Sequence, residues 1–284
     1  MTATTKGSLT CVGVGMMLGA HICPISRSHI ENADIVFSAM SDGFVEKWLE
    51  QLNPNVHSLQ SLYGKDKSRH KTYKEMVQTI VTAVQQNKKV VAAFYGHPGV
   101  FVKPAHQAIE QTRALGFDAT MVPGISAEAC LYADLGMDPG KQGCQHYETS
   151  QFMLYQRRID PSAMLVLWQI GLAGDLSMGI GTTGVAERRL LLELLAEDYS
   201  LEHNCWLYEA ATMPLMQPRM EQLPLKALLQ AEINQHTTLV IPPEKSLVPN
   251  IQMRQRLKIL QQQATNISKQ DNNVIPFNKR EKIQ

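Results

Sequence analysis

VVAAFYGHPGVF, residues Val90–Phe101, is the stretch from which the fold is read. An apolar run of strand length stops at Tyr95 and breaks into Gly96, Pro98 and Gly99, with no charged side chain before Lys103. This is the pattern of a strand emptying into a tight, bare loop. In an open α/β sheet, ligands gather where such loops leave the carboxyl ends of the strands, because backbone amides and carbonyls lie unshielded there and the cleft is concave. Glycine at 96 and 99 lets main chain lie flat against a ligand, and Pro98 stiffens the turn between them. A plain β–α turn needs no more than one glycine, so the density of special residues marks a ligand loop.

On the amino-terminal side, apolar Tyr73, Met76, Val77, Ile80 and Val84 recur at helical spacing and predict an amphipathic helix from about Arg69 to Gln86. Arg69 and Tyr73, four apart, project from one face at its start. Tyr63 lies six residues before Arg69, in a glycine-containing loop that can fold back over the same spot. Lys65, Lys67, Lys71 and Lys74 read as a solvated basic first turn. The two tyrosines differ: a phenol beside a guanidinium in a partly buried place is expected to have its ionised form favoured.

Further back, Ser8–Val14 is a β-type run ending in Gly13, Gly15 and Gly19, followed by a short helix Ser26–Asn32, a strand Ile35–Ala39 and a helix Asp42–Leu52 carrying Trp48. The glycines suggest a dinucleotide fingerprint, but the spacing is GxGxxxG. The strand that should end in a ribose-binding acid ends instead in Ser38 and Ala39, with Asp34 before it, which excludes a nicotinamide dinucleotide site. Met16 and Met17 at this loop read as core packing before peptide lining.

On the carboxyl-terminal side, Pro104 opens a helix that Gly116 stops, and Phe117–Val122 returns as a strand. In PGISAEACLYADLG, Ser126 caps a new helix whose first amides point back at the cleft. Strand and helix alternating at this tempo predict a mostly parallel first sheet and a domain boundary near Pro123. The second half alternates again: strands Gln145–Phe152 and Ala163–Gly171, a helix Ala186–Asp198, a strand Cys205–Glu209, a short helix Pro224–Ala231 and a strand Thr237–Ile241. The glycine-rich Gly171–Gly184 has neither the lysine nor the spacing of a phosphate loop, and reads as a flexible connection bordering a substrate channel. Beyond it, Asn250–Gln263 carries Met253, Leu257 and Leu260 at helical spacing with nothing left in sequence to cover them, predicting docking on the body or on a second subunit. Residues 264–284 read as a mobile tail. The domain expectation is therefore 1–122, 123–243 and a 244–284 extension.

Composition bounds the function. The 284 residues are 44% hydrophobic, enough for a sizeable core, and 27 basic against 26 acidic side chains leave a net charge of +1, with no global field for nucleic acid or an anionic membrane. No apolar run reaches the roughly 18 residues of a span, and MTATTKGSLT lacks the regions of a signal peptide. A soluble cytoplasmic protein is expected. The five cysteines, 11, 23, 130, 144 and 205, are scattered without a CxxC pair and the nine histidines form no HExxH, so reduced thiols and no metal site are expected, with His97 a hydrogen-bonding loop residue.

With these residues in place, GVGMMLG, YGHPGVF and PGISAE at their mutual distances resemble the tetrapyrrole-methylase-like S-adenosylmethionine methyltransferases over roughly residues 8 to 242. That resemblance implies two αβα domains with the cofactor between them. His97 stands where most of that class carry an aspartate, which argues against a porphyrinoid substrate. The chain is more closely similar to the borosin-type peptide-backbone α-N-methyltransferases: Tyr63, Arg69 and Tyr73 have the spacing of that family's catalytic residues, and YGHPGVFVKPAHQAI and PGISAE follow. The tail NNVIPFNKREKIQ carries no long run of small apolar residues, and resembles the split members that act on a separate precursor peptide.

The resemblance implies Tyr63, Arg69 and Tyr73 as catalytic, and S-adenosylmethionine held by Tyr95, His97, Val100, Phe101, Ser126, Ala127, Gln169, Tyr208 and Leu239. For Gln169 and Tyr208, strand-end packing remains the competing reading. It also implies a homodimer that binds its precursor in trans. The residue types suit the chemistry: an amide nitrogen is a poor nucleophile because its lone pair is delocalised into the carbonyl, so its proton must leave and the imidate oxygen be stabilised. A tyrosinate is a stronger base than a carboxylate, and Arg69 can lower a phenol pKa and donate to the oxygen. Tyr73 is expected to be the main base or its relay and Tyr63 the partner that orients the amide, with sequence leaving open which phenol takes the proton. A methyltransferase of the same fold for a small molecule such as a tetrapyrrole, or for RNA, would have no use for these three residues. A silent cofactor-binding scaffold for a partner protein is a further alternative, which cofactor calorimetry and a mass search for product separate.

Overall fold

Alternation along one strand explains the first half of the molecule. In the computed structural model, which describes residues 6–40, 43–64, 67–176 and 181–271, the strand Lys89–Phe94 buries Val90, Ala92 and Phe94 on one face and Val91 and Ala93 on the other. Both faces are covered, as a central parallel strand requires. In chain order the elements up to this sheet's end are β1 Ser8–Gly13, α1 Pro24–Glu31, β2 Ile35–Ala39, α2 Gly43–Leu52, β3 Val56–Ser58, α3 Arg69–Gln85, β4 Lys89–Phe94, α4 Lys103–Ala114 and β5 Asp118–Val122. The strands run parallel in the order β3-β2-β4-β1-β5. Met76, Ile80 and Val84 of α3 and Ala105 and Ala108 of α4 pack one face; Ile30, Val45 and Leu49 of α1 and α2 pack the other. β3 carries no periodic signal in the sequence: it is three residues at a sheet edge, half-buried Val56 and exposed His57 and Ser58.

The second half comprises α5 Ala127–Leu135, α6 Pro139–Gln142, β6 Cys144–Glu148, α7 Thr149–Leu154, β7 Met164–Trp168, α8 Val185–Leu195, β8 Asn204–Glu209, β9 Arg219–Pro224 and β10 Thr238–Ile241. Its sheet, β6-β7-β10-β8-β9, is mixed: β6 and β7 are parallel and the remaining pairs antiparallel. The strand expected over Gln145–Phe152 stops at Glu148, whose carboxylate accepts from Gln151 N at 2.8 Å and so caps α7. β9 was missed because RMEQ exposes polar groups at an edge, and the helix expected at Pro224–Ala231 is a 3₁₀ turn over Leu225–Leu229.

Residues Met1–Lys245 form one compact unit and Ser246–Gln284 another. In the second, α9 runs Ile251–Asp271, longer than expected: residues 264–271, read as tail, are helical. Met253, Leu257 and Leu260 on it are exposed. Asp42, Lys65, residues 177–180 of the glycine-rich connection and the tail beyond 271 lie outside the described residues. The five cysteines are free thiols. Among the described residues no helix is long and apolar enough to cross a membrane.

Candidate functional site

Three loops leave the carboxyl ends of β1, β4 and β5 and interlock through glycine. Gly15 N donates to Gly96 O at 3.2 Å and Gly96 N returns a bond to Gly15 O at 2.9 Å. A Cβ at Gly13 would meet Gly96 O at 2.5 Å, and one at Gly124 would meet the same oxygen at 2.2 Å. Gly13 and Gly15, two of the three glycines that imitate a dinucleotide fingerprint, therefore serve main-chain contact between loops. In the central loop, Gly99 N donates to His97 Nδ1 at 2.8 Å, so His97 folds its own turn. Ser126 caps α5 by accepting from Ala129 N at 3.3 Å.

Above these loops lies a cavity of about 370 Å³, a size within the usual range of small-molecule sites. Tyr95, His97, Val100, Phe101, Ser126, Ala127, Gln169 and Tyr208, all expected on the cofactor, line it. Two of them hold left-handed backbone, Phe101 at φ 57° and Gln169 at φ 59°. Strain of this kind collects at ligand sites. Tyr208 is nearly fully buried, its hydroxyl donating to Asp134 Oδ2 at 2.8 Å, so its ring forms wall while its polar end is already spent.

Leu239 does not line the cavity and is a correction: it is fully buried in the core with Leu167 and Leu207, its partners on the flanking strands. Thr238, one residue earlier, lines the cavity. Successive strand residues point to opposite faces, so a register error of one moves a residue from wall to core. Met16, Glu128, Trp168, Glu209 and Met216 also line the cavity; of these only Met16 stands in a loop that the sequence marks. Trp168 packs against Phe101, ring centroids 6.1 Å apart, and donates from Nε1 to His146 Nδ1 at 3.2 Å.

Tyr63, Arg69 and Tyr73 come together beside this cavity. A 3₁₀ turn, Gln60–Leu62, ends at Tyr63, and Leu62 O accepts from Lys67 Nζ at 2.6 Å and from Thr72 Oγ1 at 3.4 Å. The loop is thereby sewn to α3 one residue from Tyr73. Ser68 caps α3 through Lys71 N at 3.4 Å, placing Arg69 in its first turn. Lys67, expected to be solvated, also pairs with Glu75 and is a clamp.

The phenols of Tyr63 and Tyr73 hydrogen-bond, and both interact with Tyr95 of the cavity wall. Burial pushes the Tyr63 phenol up from its ordinary value of 10.0; the neighbouring Tyr73 and Tyr95 phenols add in the same sense, and the Arg69 guanidinium acts against them. Burial also pushes Tyr95 up, with Tyr73 next. The expectation of a favoured phenolate fails for Tyr63: Arg69 acts in the expected direction, but desolvation is the larger effect. Arg69 Nη2 donates to Asp175 Oδ2 at 2.9 Å, while its Nε is buried with no partner among the described residues. A buried donor of this kind is a place where an acceptor is wanted. Among the described residues no cluster of His, Cys, Asp or Glu could hold a metal ion.

A parallel sheet with ligand loops at its carboxyl edge, joined to a mixed sheet that supplies the opposite wall, is the architecture of a methyltransferase class. The chain belongs to the tetrapyrrole (corrin/porphyrin) methylase family, whose model matches residues 8–228. It is 36% identical over 263 residues to the methyltransferase/ribosomally synthesized cyclic peptide gymnopeptides precursor of Gymnopus fusipes, which covers 91% of this chain and 63% of that protein. It is 37% identical over 250 residues to the methyltransferase/ribosomally synthesized type I borosin cyclic peptide precursor of Coprinopsis marcescibilis, covering 86% and 64%. The chain thus spans a little under two thirds of the length of these relatives. Solved structures share the fold: uroporphyrin-III-C-methyltransferase from Thermus thermophilus (TM-score 0.59, 19% identity, 84% of this chain and 93% of that one) and a cobalt precorrin-4 methyltransferase (TM-score 0.61, 15%, 85% and 97%).

Proposed function

We propose that the protein transfers a methyl group from S-adenosylmethionine to backbone amide nitrogens of a peptide. The observation that carries this reading is the convergence of two hydrogen-bonded phenols and one partly unsatisfied guanidinium beside a cavity wall, because an amide needs both a strong base and a donor for its oxygen. The cavity fits the cofactor in size and in its mix of apolar wall and bare strand-end backbone. Tyr95, His97, Val100, Phe101, Ser126, Ala127, Gln169, Tyr208 and Thr238 would hold it. When bound, the cofactor supplies the electrophilic methyl group.

The chain's own residues do the rest. Tyr63 keeps its proton and donates it in a hydrogen bond to the Tyr73 oxygen. That oxygen takes the amide proton as the base, and the negative charge passes to the amide, onto its imidate oxygen. Tyr73 is therefore the base and Tyr63 its orienting donor. Arg69 donates to the imidate oxygen, where a preorganised donor is worth roughly 10²–10³ in rate. On this reading residues 1–122 and 123–243 are the two domains that enclose the cofactor. The peptide, on the same reading, is supplied by a separate precursor. The exposed Met253, Leu257 and Leu260 stripe pairs two copies, which light scattering would check.

Intact-mass and fragmentation analysis of the protein coexpressed with short open reading frames flanking its gene tests the reading. Steps of one methyl group mapped to backbone nitrogens, and absent with Arg69→Ala, are expected. Methyls gained by a nucleoside or a pigment, with every candidate peptide unmodified, would overturn it.

A further inference from the structure

Arg69 is gripped from the far half of the molecule. Its Nη2 meets Asp175 Oδ2 at 2.9 Å, with the two side chains only 20% and 10% exposed. Asp175 stands on a stiff support. Its own N–H donates to Leu172 O at 3.0 Å, and the same oxygen accepts from Ser150 Oγ at 2.5 Å. Leu172 N in turn donates to Gln169 O at 2.9 Å, and Leu172 and Ala173 are buried. Thr183 N closes the connection on Gly171 O at 2.7 Å.

A guanidinium is a flat fork of five N–H donors on a flexible stem. Its stem alone does not set the plane of the fork. A carboxylate on an immobile turn, holding one terminal nitrogen, does so, and leaves the buried Nε edge for another acceptor. We propose that Asp175 is a positioning residue that fixes the plane of the Arg69 guanidinium, so that its remaining donors meet the substrate amide oxygen in one orientation.

This rests on the peptide-methylation reading of the site. It has an electrostatic corollary. Tyr73 and Tyr95 push the Tyr63 phenol up and the Arg69 guanidinium acts against them; Asp175 is ion-paired with that guanidinium. Asp175 offsets part of the arginine's field there, so its removal leaves Arg69 acting unopposed on the phenols.

The test uses Asp175→Asn and Asp175→Ala in the full chain, with S-adenosylmethionine and a peptide that the wild type methylates. A misplacement near 1 Å costs about 10²-fold, so kcat is expected to fall about 10- to 100-fold in the alanine variant and less in the asparagine one. Cofactor dissociation constants should stay within twofold. In Asp175→Asn the ascending limb of the kcat–pH profile, where the base loses its proton, should move to lower pH, which a merely structural residue would not cause. Wild-type kcat in both variants, or a fall with the ascending limb unmoved, overturns the proposal.

The Nε–H signal of Arg69 in ¹⁵N-arginine protein, assigned by its loss in Arg69→Lys, supplies a readout independent of activity. It should be sharp in wild type and broadened in Asp175→Asn. A signal unchanged in the variant refutes the positioning role whatever the substrate. A signal that responds while no peptide is ever methylated upholds the contact and removes the functional reading instead.

Discussion

Gly124→Ala tests the glycine floor beneath the cavity. The added Cβ would stand 2.2 Å from Gly96 O, 2.8 Å from Gly13 Cα and 2.9 Å from Gly13 C, all backbone atoms. A flexible side chain can swing aside; main chain held by the reciprocal Gly15 and Gly96 bonds cannot. Ordinary carbon contacts lie at about 3.5–4.0 Å, so one of the loops must retreat by roughly 1 Å. Overpacking of this order costs about 1–3 kcal/mol, and each kcal/mol lowers the melting temperature of a domain of this size by roughly 2–4 °C. The functional effect should be larger than the thermal one, because the displaced loop is Tyr95 to Phe101, and a 1 Å error there costs about 10²-fold in rate. Differential scanning calorimetry gives the first number, and titration of S-adenosylmethionine into the folded variant gives the second. Gly43→Ala is the control: a Cβ there meets nothing within 4 Å at the first residue of α2, and a stabilisation of about 0.4–1 kcal/mol is expected. A Gly124→Ala protein that melts with the wild type and binds cofactor within twofold would refute the claim that these three loops touch through bare backbone.

Three further outcomes are expected. Tyr73→Phe should lower the rate of methyl transfer by about 10²–10⁴, the range for a general base, with cofactor affinity unchanged in calorimetry; Tyr63→Phe should cost less. Gln169→Gly relieves left-handed backbone and should raise stability by about 1 kcal/mol in urea unfolding while weakening cofactor binding. Burial pushes the Cys11 and Cys205 thiols from an ordinary value of 9.0 up to about 12. The folded chain keeps those protons after the unfolded chain has lost them, so stability is intact below pH 9 and falls as pH rises toward 12, by about 2–3 kcal/mol per thiol at pH 11. Urea midpoints at pH 8, 10 and 11 should decline accordingly, and Cys11→Ala should flatten the decline.

How much could be read in advance depended on how locally each feature is determined. β4 and α3 were legible because burial on two faces, or on one stripe, writes its period into consecutive residues. Ser126 announced its cap because capping is a bond to an amide three residues away. The edge strands β3 and β9 were not legible, since an edge strand satisfies half its backbone with water and need not alternate. Glu148 ended a strand by capping α7 with a side chain that in sequence looked like one more strand residue. Leu239 was misplaced by one, and in a strand one residue is the whole difference between core and cavity.

The site separates along the same line. Tyr63, Arg69 and Tyr73 could be set together from sequence because ten residues of loop and one helical turn bring them there. Asp175 could not, since it reaches Arg69 across 106 residues and through a contact between the molecule's halves; the nearest signal was the glycine-rich stretch marked as a channel border. The ionisation state of Tyr63 was the harder failure. Sequence shows the guanidinium that lowers a phenol pKa but not the packing that raises it, and burial by residues distant in sequence is the larger of the two effects. A resting Tyr63 that holds its proton makes better physical sense of the pair than two competing bases would: one phenol must donate if the other is to carry charge, and the buried, raised member is the one suited to donate.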